Sequence, residues 1–220
     1  QLLAQEVEAT CEDGFLGLML ERPDMGIPRF EAALALAPTA SEAQIGLVFA
    51  LVRRQGAEVA LARVDGVLAP HVAPGLLARL RMGLLLRLGR RAEATALEAG
   101  LAEARTEFEL FLEGSINRDR GDLAGTRLIE FTERAVLAAP RPLLWLHVHW
   151  AAYADEARDA SSCRRCAANL LLNWPDSPFA QYFATVALRG VEPERAAEIV
   201  ARALRTRPDE GVLHGAHGMV

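Results

Sequence analysis

At 220 residues the chain is long enough to bury a sizeable core, and its net charge of -5, from 24 basic and 29 acidic residues, leaves no basic stripe for a nucleic-acid backbone. Hydrophobic residues make up 51% and aromatics only 6%, so the apolar content is mostly Ala, Leu and Val, a balance that leans to helix. No apolar run approaches the roughly 20 residues of a membrane span, and no basic-apolar-small signal opens the chain. Gln1 at the start fits a processed or excised piece. Three cysteines, Cys11, Cys163 and Cys166, are odd in number and irregular in spacing, which argues against a disulfide framework and favours a reducing, cytoplasmic setting.

The elements repeat along the chain. Residues 7–40 open with a helix carrying Gly14, Phe15, Leu18 and Met19. A second helix follows, written Gly26-Ile27-Pro28-Arg29-Phe30-Glu31-Ala32-Ala33-Leu34-Ala35-Leu36-Ala37 and closed by Pro38. Residues 41–74 begin with Ser41 and Gln44, spaced as a capping box, and place Ile45, Phe49 and Arg53 on the first helix. Ala60, Val64 and Val67 follow in register, but Pro70 comes two residues early. Residues 75–108 carry Arg79, Leu86 and Arg87, then Ala94 and Leu101, with no terminal proline. Residues 109–142 carry Phe111, Ser115 and Arg118, a shift around Gly121-Asp122, then Ala135 and Pro140. Residues 143–176 carry Trp145, Val148, Ala152 and Asp155, then Cys163, Ala167, Leu170 and Pro175. Residues 177–210 start at Ser177-Pro178, an N-cap with a first-turn proline, and run through Gln181, Thr185 and Arg189 to Ala196, Val200, Ala203 and Pro208. Residues 211–220 read as a tail or the start of a truncated capping helix.

Proline steps of 33 and 35 residues link Pro208, Pro175 and Pro140, and 102 residues, three steps of 34, separate Pro140 from Pro38. Proline ends a helix and disfavours α geometry in the residue before it. Gln55-Gly56, Gly89-Arg90, Arg120-Gly121-Asp122 and Arg189-Gly190 supply the turns within each pair. The small residues Gly14, Ala33, Ala60, Ala94, Ala151 and Ala196 are expected where two helices approach closely. A helical pair cannot bury its apolar face alone, so units of this kind must stack.

With this register the chain resembles the tetratricopeptide repeat family, whose unit of 34 residues has an Ala-x3-Phe second helix ending near Pro. The resemblance implies an all-α, right-handed superhelical solenoid of about six helix-turn-helix repeats. It also implies that the first helices line a concave face where an extended or helical peptide lies. Carried over by register, that face holds Phe15, Phe49, Arg53, Arg79, Arg87, Phe111, Arg118, Trp145 and Arg189. The Lys/Asn carboxylate clamp of some family members does not carry over, because Cys11, Phe15 and Met19 stand at its positions. Arg53, Arg79 and Arg87 remain candidates for an acidic ligand.

Each cluster suggestive of chemistry has a plainer reading. Cys163-Arg164-Arg165-Cys166 lacks the strand-helix setting of a redox pair and the further ligands of a zinc site, so two helix-packed thiols are expected. His147 and His149 lie two apart on one helix and face different ways; one should pack and the other face the groove or solvent. Trp150 falls at a core position, whereas Trp145 is expected at the inner surface. His214 and His217 sit in a Gly-rich tail expected to be disordered or truncated. Asp155-Glu156 and the Arg120-Gly121-Asp122 tripeptide read as surface and turn. No phosphate-loop, zinc-protease or nucleophile-elbow motif occurs.

The expected function is therefore a protein-interaction scaffold, not an enzyme, with no catalytic residue, cofactor or metal and with a protein or peptide partner. Homo-oligomerisation is a further option. The alternative is the recognition domain of a larger bacterial enzyme, such as a glycosyltransferase or sulfotransferase.

Overall fold

The computed structural model describes residues 2–121 and 125–219, and every regular element among them is a helix. Asp122, the last residue of the expected fourth turn, lies outside the described residues. The chain divides into two compact units, Gln1–Asp122 and Leu123–Val220.

The first unit holds α1 (Leu2–Met19), α2 (Pro23–Leu36), α3 (Ser41–Gln55), α4 (Ala57–Arg63), α5 (Pro74–Arg87), α6 (Arg91–Glu98) and α7 (Glu107–Arg120). Helix α1 packs on α2 and α3, α2 on α3, α3 on α4, α4 on α5, and α5 on both α6 and α7. The second unit holds α8 (Gly125–Ala138), α9 (Leu144–Glu156), α10 (Ala160–Asn173), α11 (Pro178–Leu188), α12 (Pro193–Thr206) and α13 (Gly211–His217). There α9 packs on α8, α10 and α11, while α11 packs on α10, α12 and α13. Within each unit most helices thus touch a sequence neighbour and often the next but one, the contact pattern of a tetratricopeptide-like helical repeat. The Gly-rich tail is not irregular: α13 forms there, with Leu213 and Ala216 fully buried.

Local chemistry explains where the helices stop. Helices α2, α8, α10 and α12 each end two residues before a proline, at Leu36, Ala138, Asn173 and Thr206. In the hairpin whose proline comes early, α4 runs on into a π-helical turn at Val64–Leu68, closed by Ala69 N–H to the Val64 carbonyl at 2.8 Å. Where no proline exists, α6 stops after Glu98 and an irregular stretch reaches Thr106. Thr106 and Glu109 then form a capping box for α7. Ser177 caps α11 as its sequence suggests. Ser41 and Gln44 do not form the expected box, because Ala40 is the N-cap of α3. Gln44 turns inward, fully buried, and its amide nitrogen donates to the carbonyls of Pro38 (2.7 Å) and His71 (3.1 Å). Gln181 repeats the device, donating to the Pro175 carbonyl at 2.7 Å.

Five of the turns inside the hairpins use a left-handed residue, whereas the Arg189-Gly190 turn does without one. Gly56, Gly89 and Gly121 supply it with φ of 93°, 73° and 76°, whereas Glu21 (57°) and Arg158 (54°) adopt it despite a Cβ. Arg158→Gly is therefore expected to stabilise the protein by about 0.5–1 kcal/mol, read as a higher urea midpoint. A lower midpoint would mean that the arginine side chain contributes more than the backbone strain removes.

Between repeats the polar rungs keep the repeat spacing. Arg63 pairs with Glu31, Arg87 with Asp119 and Arg165 with Glu133, each 32 residues apart. Arg79 pairs with Glu113, and Arg189 with Asp155, each 34 apart. Most of these are surface pairs worth little singly, so packing of the small residues carries the stack. Gly14, Ala33, Ala60, Ala94, Ala151 and Ala196 are all buried.

Candidate functional site

Helices α3, α5 and α7 leave a small half-open cleft between them, enclosing about 30 Å³. Val48, Phe49 and Val52 come from α3; Arg79, Leu80, Gly83, Leu84 and Arg87 from α5; and Leu112, Ser115, Ile116 and Asp119 from α7. On α5 the lining recurs at i, i+3, i+4 and i+7 from Leu80, one face of a helix. The cleft is lined by the first helices of three successive hairpins.

Its charges are matched within the chain. Arg87, at the mouth, donates from Nε to Asp119 at 2.9 Å. Arg79 lies beneath, 2% exposed, and its guanidinium has four partners. Nε donates to Glu113 at 2.9 Å, Nη1 to the Gly75 carbonyl at 3.2 Å and Nη2 to the Ala102 carbonyl at 2.8 Å, while Nη1 lies 3.8 Å from Glu109. Burial alone would push the Glu109 carboxyl up, but the backbone N–H groups of Arg105 and Thr106 and the Arg79 charge hold it below the usual carboxylate range.

Of the nine residues expected on the inner face, Phe49, Arg79 and Arg87 meet in this cleft. Phe111 packs behind it, its ring 5.9 Å from Phe49, and is 2% exposed. Phe15 is also a core side chain, edge-on to Phe30 at 5.0 Å. Trp145 is 1% exposed and belongs to the core of the second unit, not to an open surface. Each is covered by other side chains: Phe15 by Phe30, Phe111 by Phe49, and Trp145 with His149 edge-on to it. Arg53 is exposed at the end of α3 and donates to the Leu18 carbonyl at 2.7 Å. Arg118 is exposed but does not line the cleft. Arg189, in the second unit, pairs with Asp155 at 2.7 Å and reaches the Met219 sulfur at 3.3 Å. Of the expected acid-binding set, Arg79 and Arg87 share the cleft and are paired with carboxylates, and Arg53 holds a carbonyl.

Sequence reading missed Asp119, Gly83 and the Thr106–Glu109 box. Asp119 could have been found from its distance of 32 residues to Arg87, and the box from its T-x-x-E spacing.

The other clusters are interior. Cys163 and Cys166 are buried free thiols in α10; burial first, with Asp155 and Asp159 nearby, raises Cys163 to about 11, and burial raises Cys166 to about 12. Neither forms thiolate at neutral pH, so neither is poised as a nucleophile. His149 is half-buried, edge-on to Trp145 and Tyr153. His147 is 3% exposed, bonded through Nδ1 to the Leu143 carbonyl at 2.9 Å and edge-on to Trp174 at 5.0 Å. Desolvation lowers its pKa below the usual 6.5, against the backbone bond to Leu143. The folded chain thus refuses a proton that the unfolded chain accepts below pH about 6.5. The stability from neutral His147 is complete above that pH and is lost as pH falls towards the lower folded value. A His147→Gln variant is expected to show a flatter decline in urea midpoint than the wild type between about pH 7 and 5. Parallel curves would show that the imidazole takes up its proton in the folded state.

No family model matches the sequence, and no curated protein matches it. Among solved structures, the fold is similar to a chain of the crystal structure of the APC/C hetero-tetramer Cut9-Hcn1, at TM-score 0.50 and 13% identity. The match covers 93% of this chain and 40% of the other, so the chain spans well under half the length of that neighbour. The neighbour is a tetratricopeptide-repeat protein, and the likeness shows that fold here. Among the described residues, no helix is long and apolar enough to cross a membrane.

Proposed function

We propose that the chain is a non-catalytic scaffold that binds a peptide or protein segment on its first-helix face, over the cleft between α3, α5 and α7. The observation that carries this is the cleft itself: apolar side chains from three successive first helices meet there, with Phe49 half-buried at its edge. Folded surfaces keep contiguous apolar concavities for ligands. The neighbour of like fold belongs to a hetero-tetramer, in keeping with a protein that works by holding other chains. Free thiols at Cys11, Cys163 and Cys166 fit a reducing, cytoplasmic setting.

The test is selection of random linear peptides displayed on phage against the immobilised chain. Phe49→Asp, verified as folded by its melting curve, is the counter-target. Peptides that bind the wild type and lose about tenfold or more in affinity for Phe49→Asp support the reading. Equal affinity for both would move the site away from this face.

A further inference from the structure

Helices α8, α10 and α12 are the second helices of three successive hairpins, closed by Pro140, Pro175 and Pro208. Counted back from those prolines, equivalent residues fall into rows. Three residues before the proline stand Leu137, Leu172 and Arg205; six before it stand Arg134, Asn169 and Arg202. All but the half-buried Asn169 are exposed. Two ion pairs set the helices side by side. Glu133 of α8 meets Arg165 of α10 at 2.8 Å, and Arg164 of α10 meets Glu192, the N-cap of α12, at 2.6 Å. Leu137 lies one turn beyond Glu133 and Leu172 two turns beyond Arg165, so the two leucines share one face.

Leu137 is 79% exposed and Leu172 78%. Among the described residues only Leu2, at the start of α1, is a more exposed large hydrophobic. Isolated apolar side chains on a surface are ordinary. The fold does not ask for these two, because α12 carries Arg205 at the same position and packs all the same. The charge of the band is one-sided as well. Residues 134–140, 169–175 and 202–208 hold four arginines and no Asp or Glu, in a chain whose net charge is -5. Cations near helix C-termini complement the helix dipole, which accounts for some of the arginines and for neither leucine. Arg134 lies over the Phe131 ring at 5.6 Å, and neither it nor Arg202 or Arg205 has a carboxylate partner among the described residues.

A cationic band with protruding leucines fits an anionic partner with an apolar interior. Each leucine stands clear of its helix, so a protein partner would have to bring a socket for each, whereas acyl chains close around whatever enters them. Charges elsewhere on the chain are screened beyond a Debye length of about 8 Å at physiological salt, so the net negative charge does not cancel the local attraction. We propose that the solvent face of α8, α10 and α12 docks on an anionic lipid bilayer. Leu137 and Leu172 enter the boundary between headgroups and acyl chains, while Arg134, Arg202 and Arg205 meet the anionic headgroups. The helices lie on the bilayer and none crosses it. This docking uses no residue of the cleft between α3, α5 and α7, so it stands or falls separately from peptide binding there.

The test is co-sedimentation of the chain with vesicles of phosphatidylcholine alone and of phosphatidylcholine with about 30% phosphatidylserine. The chain is expected to pellet with the anionic vesicles and to stay in solution with the neutral ones. Its partition coefficient should fall about tenfold or more between about 0.05 and 0.5 M salt. At fixed low salt, Leu137→Ser with Leu172→Ser should lower it about tenfold, and Arg202→Glu with Arg205→Glu at least as much. All four side chains are exposed, so each variant should keep the wild-type melting temperature to within about 2 °C. No partition into anionic vesicles would overturn the proposal. So would partition that the leucine pair leaves unchanged, which marks a diffuse electrostatic attraction. A concentration-dependent dimer in free solution, abolished by Leu137→Ser with Leu172→Ser and accompanied by no vesicle binding, would give the band to a second copy of the chain and overturn it too.

Discussion

Gly46→Ala is expected to destabilise the first unit by about 2 kcal/mol, although alanine is the better helix former. The cause is the Phe30 ring. It is fully buried, edge-on to Phe15, and lies between the backbones of α1 and α3. A Cβ on Gly14 would come within 2.7 Å of it, and one on Gly46 closer still. Contacts on both sides leave the ring nowhere to swing, so the backbone must shift, and overpacking of this kind costs typically 1–3 kcal/mol after relaxation. The helix-propensity gain of roughly 1 kcal/mol offsets part of a clash at the upper end of that range. A double-mutant cycle isolates the mechanism. Phe30→Leu alone should also destabilise, through the cavity it leaves, but in its presence Gly46→Ala should cost at least about 1 kcal/mol less. Strictly additive urea-derived free energies would exclude the ring as the cause.

The same contact shows what was legible in the sequence. Phe30, Ala33 and Pro38 declare a second helix that packs tightly and then stops, and they do so locally: ring, small residue and breaker sit within one segment. The all-helical repeat fold could therefore be read before any coordinates. The inner face was less legible, because which first-helix residues are covered depends on the opposing helix. Phe15, Phe111 and Trp145 look like binding anchors one helix at a time, yet each is closed off by a neighbour whose identity no local pattern gives. Gln44 misled for a related reason. Its spacing to Ser41 matches a capping box, but the helix starts from Ala40, and the Gln44 amide nitrogen donates to the carbonyl of His71, 27 residues away. Gly83 carried no signal in isolation; only the absence of a close neighbour in space separates it from Gly14 or Gly26.

Arg79→Ala is expected to have the other large effect, about 2–4 kcal/mol, and to show it at a distance from the mutated residue. Breaking a buried ion pair from one side costs about 3–5 kcal/mol, and the figure is reduced here because Glu113 and Glu109 keep 25% and 17% of their side chains exposed. Three consequences follow from one guanidinium. Glu109 and Glu113, one turn apart on α7, become unscreened like charges. The Gly75 carbonyl loses a donor near the start of α5. The Ala102 carbonyl, in the irregular stretch after α6, loses the bond that ties that stretch to α5. A proline-terminated helix would hold this stretch by packing; here an arginine from 23 residues upstream does it. Hydrogen exchange should therefore speed up between Glu98 and Thr106 more than in α1 or α2, and protease cleavage should appear there first. Arg79→Lys should recover little, since one ammonium cannot span Glu113 and the Ala102 carbonyl as the planar fork does. Arg79→Met combined with Glu113→Leu should recover more, because it removes the orphaned charge along with the pair. If exchange in this stretch is unchanged in Arg79→Ala while global stability falls, the arginine acts only through α7, and its bond to the Ala102 carbonyl contributes nothing.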